Sequence, residues 1–237
     1  MSLESLSYES KREQESKISS AFEVLQDWLK TTRVNIEDCL SYDLPNSCVV
    51  GDDVQPPAER QRPPECGAYV CADALKRLGV VEREGFIDRE DFTNLYNQMQ
   101  LKFPLVGGMG PWSILAHLKQ YAVQTEVLRV AELDRGDRLY VAKSIIASKK
   151  VLTALVRLPR ENEKGRSESH WVNVVGYDEN DFFIADSNHH LNPDKTELVC
   201  DLEVLAGNKA ISHTTFLNAW EDSGISGMRN YGIVSSV

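Results

Sequence analysis

The segment HWVNVVGYDENDFFIAD, from His170 to Asp186, reads as two apolar strands around a charged turn. Trp171 to Tyr177 and Phe182 to Ala185 are rich in β-branched and aromatic side chains, and Asp178, Glu179, Asn180 and Asp181 break them apart. A hairpin turning near Glu179 and Asn180 sets positions 170 and 186 close to opposite one another. An imidazole and a carboxylate placed side by side are the parts of a general base and its orienting partner. Polar strand ends often do no more than meet solvent. Here histidine and aspartate stand at matching ends of the most apolar hairpin in the chain.

Working outward, QTEVLRV (124–130), KKVLTALVRL (149–158) and the closing YGIVSSV (231–237) read as further strands. Upstream, helical spacing appears three times. Ile18, Phe22, Leu25 and Leu29 mark one face of a helix, FTNLYNQMQ (92–100) continues in the same rhythm, and Pro111 opens WSILAHLKQYA. FLNAWEDSG (216–224) is a late helix. Helices first and strands afterwards predict an α+β protein with N-terminal helices packed on an antiparallel sheet. Residues 1–50 are assigned to an N-terminal helical extension and residues 51–237 to the main domain. The helix over 18–29 either extends that domain or recruits a substrate or protein partner.

The remaining helix carries the chemistry. In PPECGAYVCADALKRLGV, Pro63 to Val80, the apolar positions Tyr69, Val70, Ala74, Leu75 and Leu78 form a stripe, and Gly79 suits the helix end. Cys66 falls at the start of this helix and Cys71 a turn and a half further in. A thiol becomes a useful nucleophile as the thiolate, which the unpaired N–H groups and partial positive charge of a helix start stabilise. Gly67 leaves room for a substrate and leaves neighbouring N–H groups free for a developing oxyanion. A cysteine at a helix start is more often a small buried residue, so the pairing with His170 and Asp186 decides its reading.

Composition narrows the alternatives. The chain has 237 residues, 42% apolar and 26% charged, enough for one substantial core. Its 26 basic and 36 acidic residues give a net charge of −10, which argues against a nucleic-acid surface. No apolar run is long enough to span a bilayer and the first residues hold no secretion signal, so a cytoplasmic protein, or an effector delivered without a cleavable signal, is expected. The five cysteines, Cys39, Cys48, Cys66, Cys71 and Cys200, are odd in number and lack paired C-x-x-C spacing, which disfavours a disulfide framework and a structural zinc site. His189 and His190 are adjacent and cannot readily face one ion; His117 and His213 suit structural roles. The GGMG loop (107–110) lacks the lysine of a phosphate cradle and is assigned, through Gly108, to the border of a substrate cleft. Neither a metal nor a cofactor is expected.

The order Cys66-Gly67-Ala68, GMGPWSILAHLKQYA, His170-Trp171 with Gly176-Tyr177-Asp178, and a returning Asp186 resembles papain-like cysteine peptidases, most of all the bacteriocin-leader (double-glycine) peptidase group. The resemblance covers about residues 60 to 190, with ISHTTFLNAW (211–220) similar to the family's late helix. It implies a papain-like fold, a Cys66–His170–Asp186 triad, and hydrolysis of an amide or peptide bond in a peptide or protein substrate through an acyl-enzyme. Ala68 and Ser187 stand where the family carries proline. The family's oxyanion glutamine falls on Arg60, with Gln61 one residue closer to the cysteine, and Gln61 is assigned that role. Trp171 is assigned to shielding the ion pair or lining the cleft. The same triad would serve an acyltransferase or transamidase. A catalytically silent module that binds through the same fold is the rival that the displaced glutamine favours.

Overall fold

A computed structural model describes residues 32–51, 66–81, 110–157, 169–186, 209–222 and 230–237. The described elements run α1 (Ile36–Leu40), β1 (Cys48–Val49), α2 (Cys66–Arg77), α3 (Pro111–Gln120), β2 (Gln124–Arg129), α4 (Arg135–Ala147), β3 (Val151–Val156), β4 (His170–Tyr177), β5 (Asp181–Ala185), β6 (Lys209–Ser212), α5 (His213–Glu221) and β7 (Tyr231–Ser236). The expected helices at 18–29 and 92–100 lie outside the described residues.

The architecture is α+β: one seven-stranded sheet in the order β2-β7-β3-β4-β5-β6, with β1 joining β4. Every strand pairing in it is antiparallel. All six residues of β3 and seven of the eight in β4 are buried. A central strand buried on both faces reads as a near-continuous apolar run, as VLTALV does.

The order of elements corrects one expectation. Helices do not simply precede strands, because α4 falls between β2 and β3; the late helix α5 ahead of β7 is as expected. Helix α4 begins at Asp134, whose side chain accepts the N–H of Asp137, and it buries Val141, Ala142, Ile145 and Ile146. Residues 32–50 also pack on this fold. Arg33 forms a parallel bridge with Val127, Cys48 and Val49 pair with Tyr177 and Gly176, and Val50 joins the core.

Strand β4 is the hub. On one edge it pairs with β5. On the other, β3 covers His170 to Val174 and β1 takes over at Gly176 and Tyr177. The β4–β5 register slips between Val174 and Gly176. A Cβ on Gly176 would lie 2.7 Å from the Phe183 ring and 3.0 Å from the Cys48 carbonyl oxygen, so this close approach requires glycine.

The bulge revises the hairpin. Beyond it Asn173 faces Ala185, which sets Val172 across from Asp186 and leaves His170 two residues along on the same face. Positions 170 and 186 are therefore diagonal neighbours, not directly opposite; the unbulged register of Tyr177 with Phe182 would have set Asp186 across from Asn173, on the face away from His170.

Helix α2 packs on β4, β3 and α3. It is buried at Ala68, Tyr69, Val70, Cys71 and Ala74 and joins β4 through Asp73 and the Val70 carbonyl, both bonded by Asn173. The helix ends as expected: the Gly79 N–H bonds the Lys76 carbonyl, and the Val80 N–H reaches back to Leu75.

Candidate active site

Cys66 is the first residue of α2, a part-buried thiol at the end where the helix presents unpaired N–H groups. His170 opens β4, and Asp186 follows directly on β5. The sheet and the helix start thus bring together the three residues that the sequence places 16 to 120 positions apart.

The imidazole Nε2 of His170 lies 2.7 Å from Asp186 Oδ1, with both side chains nearly buried. That contact leaves Nδ1 for Cys66, whose thiol is hydrogen-bonded to the same ring. The backbone N–H groups of Trp171 and Gly67 also face the sulfur.

The electrostatics follow from these contacts. Burial pushes the Cys66 thiol up, but the His170 hydrogen bond, the His170 charge and the two N–H groups outweigh it and bring the thiol below its ordinary value. Burial alone would lower His170. The Asp186 charge and hydrogen bond, joined by those of Cys66, raise it instead to about 10. Both shifts run toward a thiolate–imidazolium pair. Cys71 and Cys39 go the other way, since burial pushes both thiols up.

Trp171 is 3% exposed and its ring belongs to the core, while its main chain points at the sulfur. Gly67 is buried in the first turn of α2. Gln61 and Gly108 lie outside the described residues, as do His189, His190 and Cys200. Among the described residues, no group of three or more His, Cys, Asp or Glu side chains could hold a metal ion. None of their helices is long and apolar enough to cross a membrane.

Sequence reasoning passed over a second set of polar residues beside the site. Asp73 and Arg77 on α2, Thr153 on β3 and Asn173 on β4 are all buried and hydrogen-bonded to one another. Their signal was a single asparagine inside the apolar run of β4, and an Asp–Arg pair four residues apart on a helix.

The chain matches no family model and no curated protein. Among solved structures it is similar to a protein from Bacillus anthracis that carries the provisional description of a C39-like peptidase, at 12% sequence identity and a TM-score of 0.45, over 81% of this chain and 98% of that one.

Proposed function

We propose that the chain is a papain-like thiol hydrolase that cleaves an amide or peptide bond through Cys66, His170 and Asp186. The observation that carries this reading is the Cys66 thiol at a helix start, hydrogen-bonded to an imidazole whose far nitrogen is 2.7 Å from a nearly buried carboxylate. In the resting site the proton sits on His170 and the sulfur is a thiolate. Attack on the substrate carbonyl carbon forms the C–S bond and moves the carbonyl π electrons onto oxygen. As the tetrahedral species collapses, His170 gives its proton to the departing amine and the C–N bond breaks.

The neutral imidazole then takes a proton from water, whose oxygen attacks the thioester. Collapse releases the carboxylic acid and returns the sulfur to its ion pair with His170. Asp186 holds the ring so that Nδ1 faces sulfur throughout, and it stabilises the imidazolium. N–H groups at the start of α2, with the Gln61 amide, would receive the oxyanion. An amine in place of water would make the same machinery an acyltransferase.

The test is turnover of a peptide library by wild type and Cys66→Ala. Wild type is expected to cleave, and the variant to lose all turnover while keeping its denaturation midpoint. A wild type that is inert across the library, together with a partner bound equally by both proteins, would favour the silent binding module.

A further inference from the structure

Asp73 lies seven residues, two helical turns, beyond Cys66, and it is fully buried. Its carboxylate accepts the Arg77 Nε–H at 2.9 and 3.0 Å and the Asn173 amide at 2.7 Å. The same amide nitrogen of Asn173 donates to the Val70 carbonyl at 2.9 Å. The Thr153 hydroxyl donates to Asn173 Oδ1 at 2.6 Å, which fixes the way the amide faces. Arg77 then carries the connection to the turn after β1, donating through Nη1 to the carbonyls of Val50 at 3.1 Å and Gly51 at 2.9 Å. Gly51 has φ +61°, and a Cβ there would lie 2.9 Å from the Arg77 Cα, so this approach needs glycine twice over.

The helix bearing Cys66 is thus fastened to the strand bearing His170 at two places: directly at Asn173, and at Gly176 and Tyr177 through Arg77 and β1. Replacing a buried ion pair with apolar side chains of similar volume is often neutral or stabilising. Stability alone therefore does not account for four polar side chains in this position. The side of α2 that meets β4 carries Asp73 and Arg77, so its register against the strand is set by groups that bond in fixed directions.

We infer that Asp73, Arg77, Asn173 and Thr153 are positioning residues, whose buried network sets the height and rotation of α2 so that the Cys66 sulfur meets His170. The inference rests on the thiol-hydrolase reading and adds a second layer to it. A reactive geometry tolerates errors of about 0.5 Å, a precision that hydrogen bonds of fixed length and direction can hold.

The test reads the pH midpoint of Cys66 alkylation by iodoacetamide alongside the thermal midpoint. The titrating group is Cys66, facing His170 and, through it, Asp186. The variant Asp73→Leu/Arg77→Met/Thr153→Val/Asn173→Val replaces the whole network with apolar side chains. It is expected to fold and to move the alkylation midpoint at least one pH unit upward, which is about a tenfold lower rate at any pH below both midpoints. Thr153→Val alone removes one hydrogen bond and is expected to move the midpoint in the same direction by less. Trp220→Phe, which deletes a buried bond outside the network, from the indole on α5 to the Tyr231 carbonyl on β7, is expected to lower the thermal midpoint and leave the pH midpoint unmoved.

An apolar variant that folds and alkylates with the wild-type midpoint would overturn the positioning role alone. If that variant does not fold, Thr153→Val decides: no shift beyond that of Trp220→Phe overturns the role. A wild-type Cys66 that titrates as an ordinary thiol, near about 8.5, would sink the hydrolase reading and the positioning role together.

Discussion

Two cysteines five residues apart on one helix have opposite chemistry. Cys66 occupies the first position of α2, where a helix start, an imidazole and two backbone N–H groups converge on its sulfur. Cys71 lies in the core with no exposure, and burial with nothing to offset it drives its thiol well above the ordinary range. Both are buried enough to be penalised as anions. The difference lies in what meets the sulfur once water has gone: it favours the thiolate at Cys66 and the neutral thiol at Cys71.

The sharpest break of that comparison is His170→Ala. It removes the base and the counter-ion together, and turnover is expected to fall nearly as far as in Cys66→Ala. Alkylation should report the same loss without a substrate. In wild type, iodoacetamide is expected to label Cys66 well below about pH 8.5 and to leave Cys71 untouched until the protein unfolds. In His170→Ala the low-pH labelling should vanish. Equal labelling of the two thiols in native wild type would erase the distinction.

Asp186→Asn is expected to do less, a loss of about tenfold to a thousandfold in turnover, below the roughly 10⁴-fold cost of the matching change in a serine triad. Cysteine chemistry starts from an existing ion pair and leans less on the third member. The variant also tests the alkaline limb. His170 is raised to about 10 by Asp186 first and Cys66 second, so its contribution to stability is complete below the ordinary 6.5 and is lost as pH rises through about 10. Asp186→Asn should bring that loss to lower pH, measured as the denaturation midpoint against pH. An unchanged profile would mean that Asp186 does not govern the imidazole.

The smallest effect belongs to Cys71→Ala. Removing a buried sulfur leaves a small cavity, expected to cost about 1 kcal/mol in denaturant unfolding, with turnover unchanged. Lost turnover at unchanged stability would bring Cys71 into the chemistry and end the contrast.

Much of this was legible in the sequence. The apolar strands of the hairpin, the α2 stripe closed by Gly79, and the α+β class follow from short-range periodicity, which local physics enforces. The gathering of Cys66, His170 and Asp186 was legible as a pattern of residue types at element ends. The bulge at Gly176 was not, because a glycine in a strand signals close approach without saying which neighbour approaches or how the register shifts. Helix α4 was passed over although Asp134 offered its N-cap, since Arg135, Gly136, Asp137 and Arg138 hide the apolar stripe that follows. The Asp73–Asn173 network was hardest to see: charged residues on a helix usually meet water, and their burial depends on partners a hundred positions away.

Strand β7 is the last of the described strands in the chain, yet it lies between β2 and β3, pairing Val127 with Ile233 on one side and Leu152 with Val234 on the other. During synthesis β2 and β3 therefore wait for β7 before either gains the partner they share. Long-range pairing of this kind is slow to form, and it leaves strand edges open meanwhile. The nascent chain thus carries its thiol and its histidine for some time without a finished sheet to hold them together. The contacts that lower the Cys66 thiol thus depend on a sheet whose middle is filled by the last of its described strands.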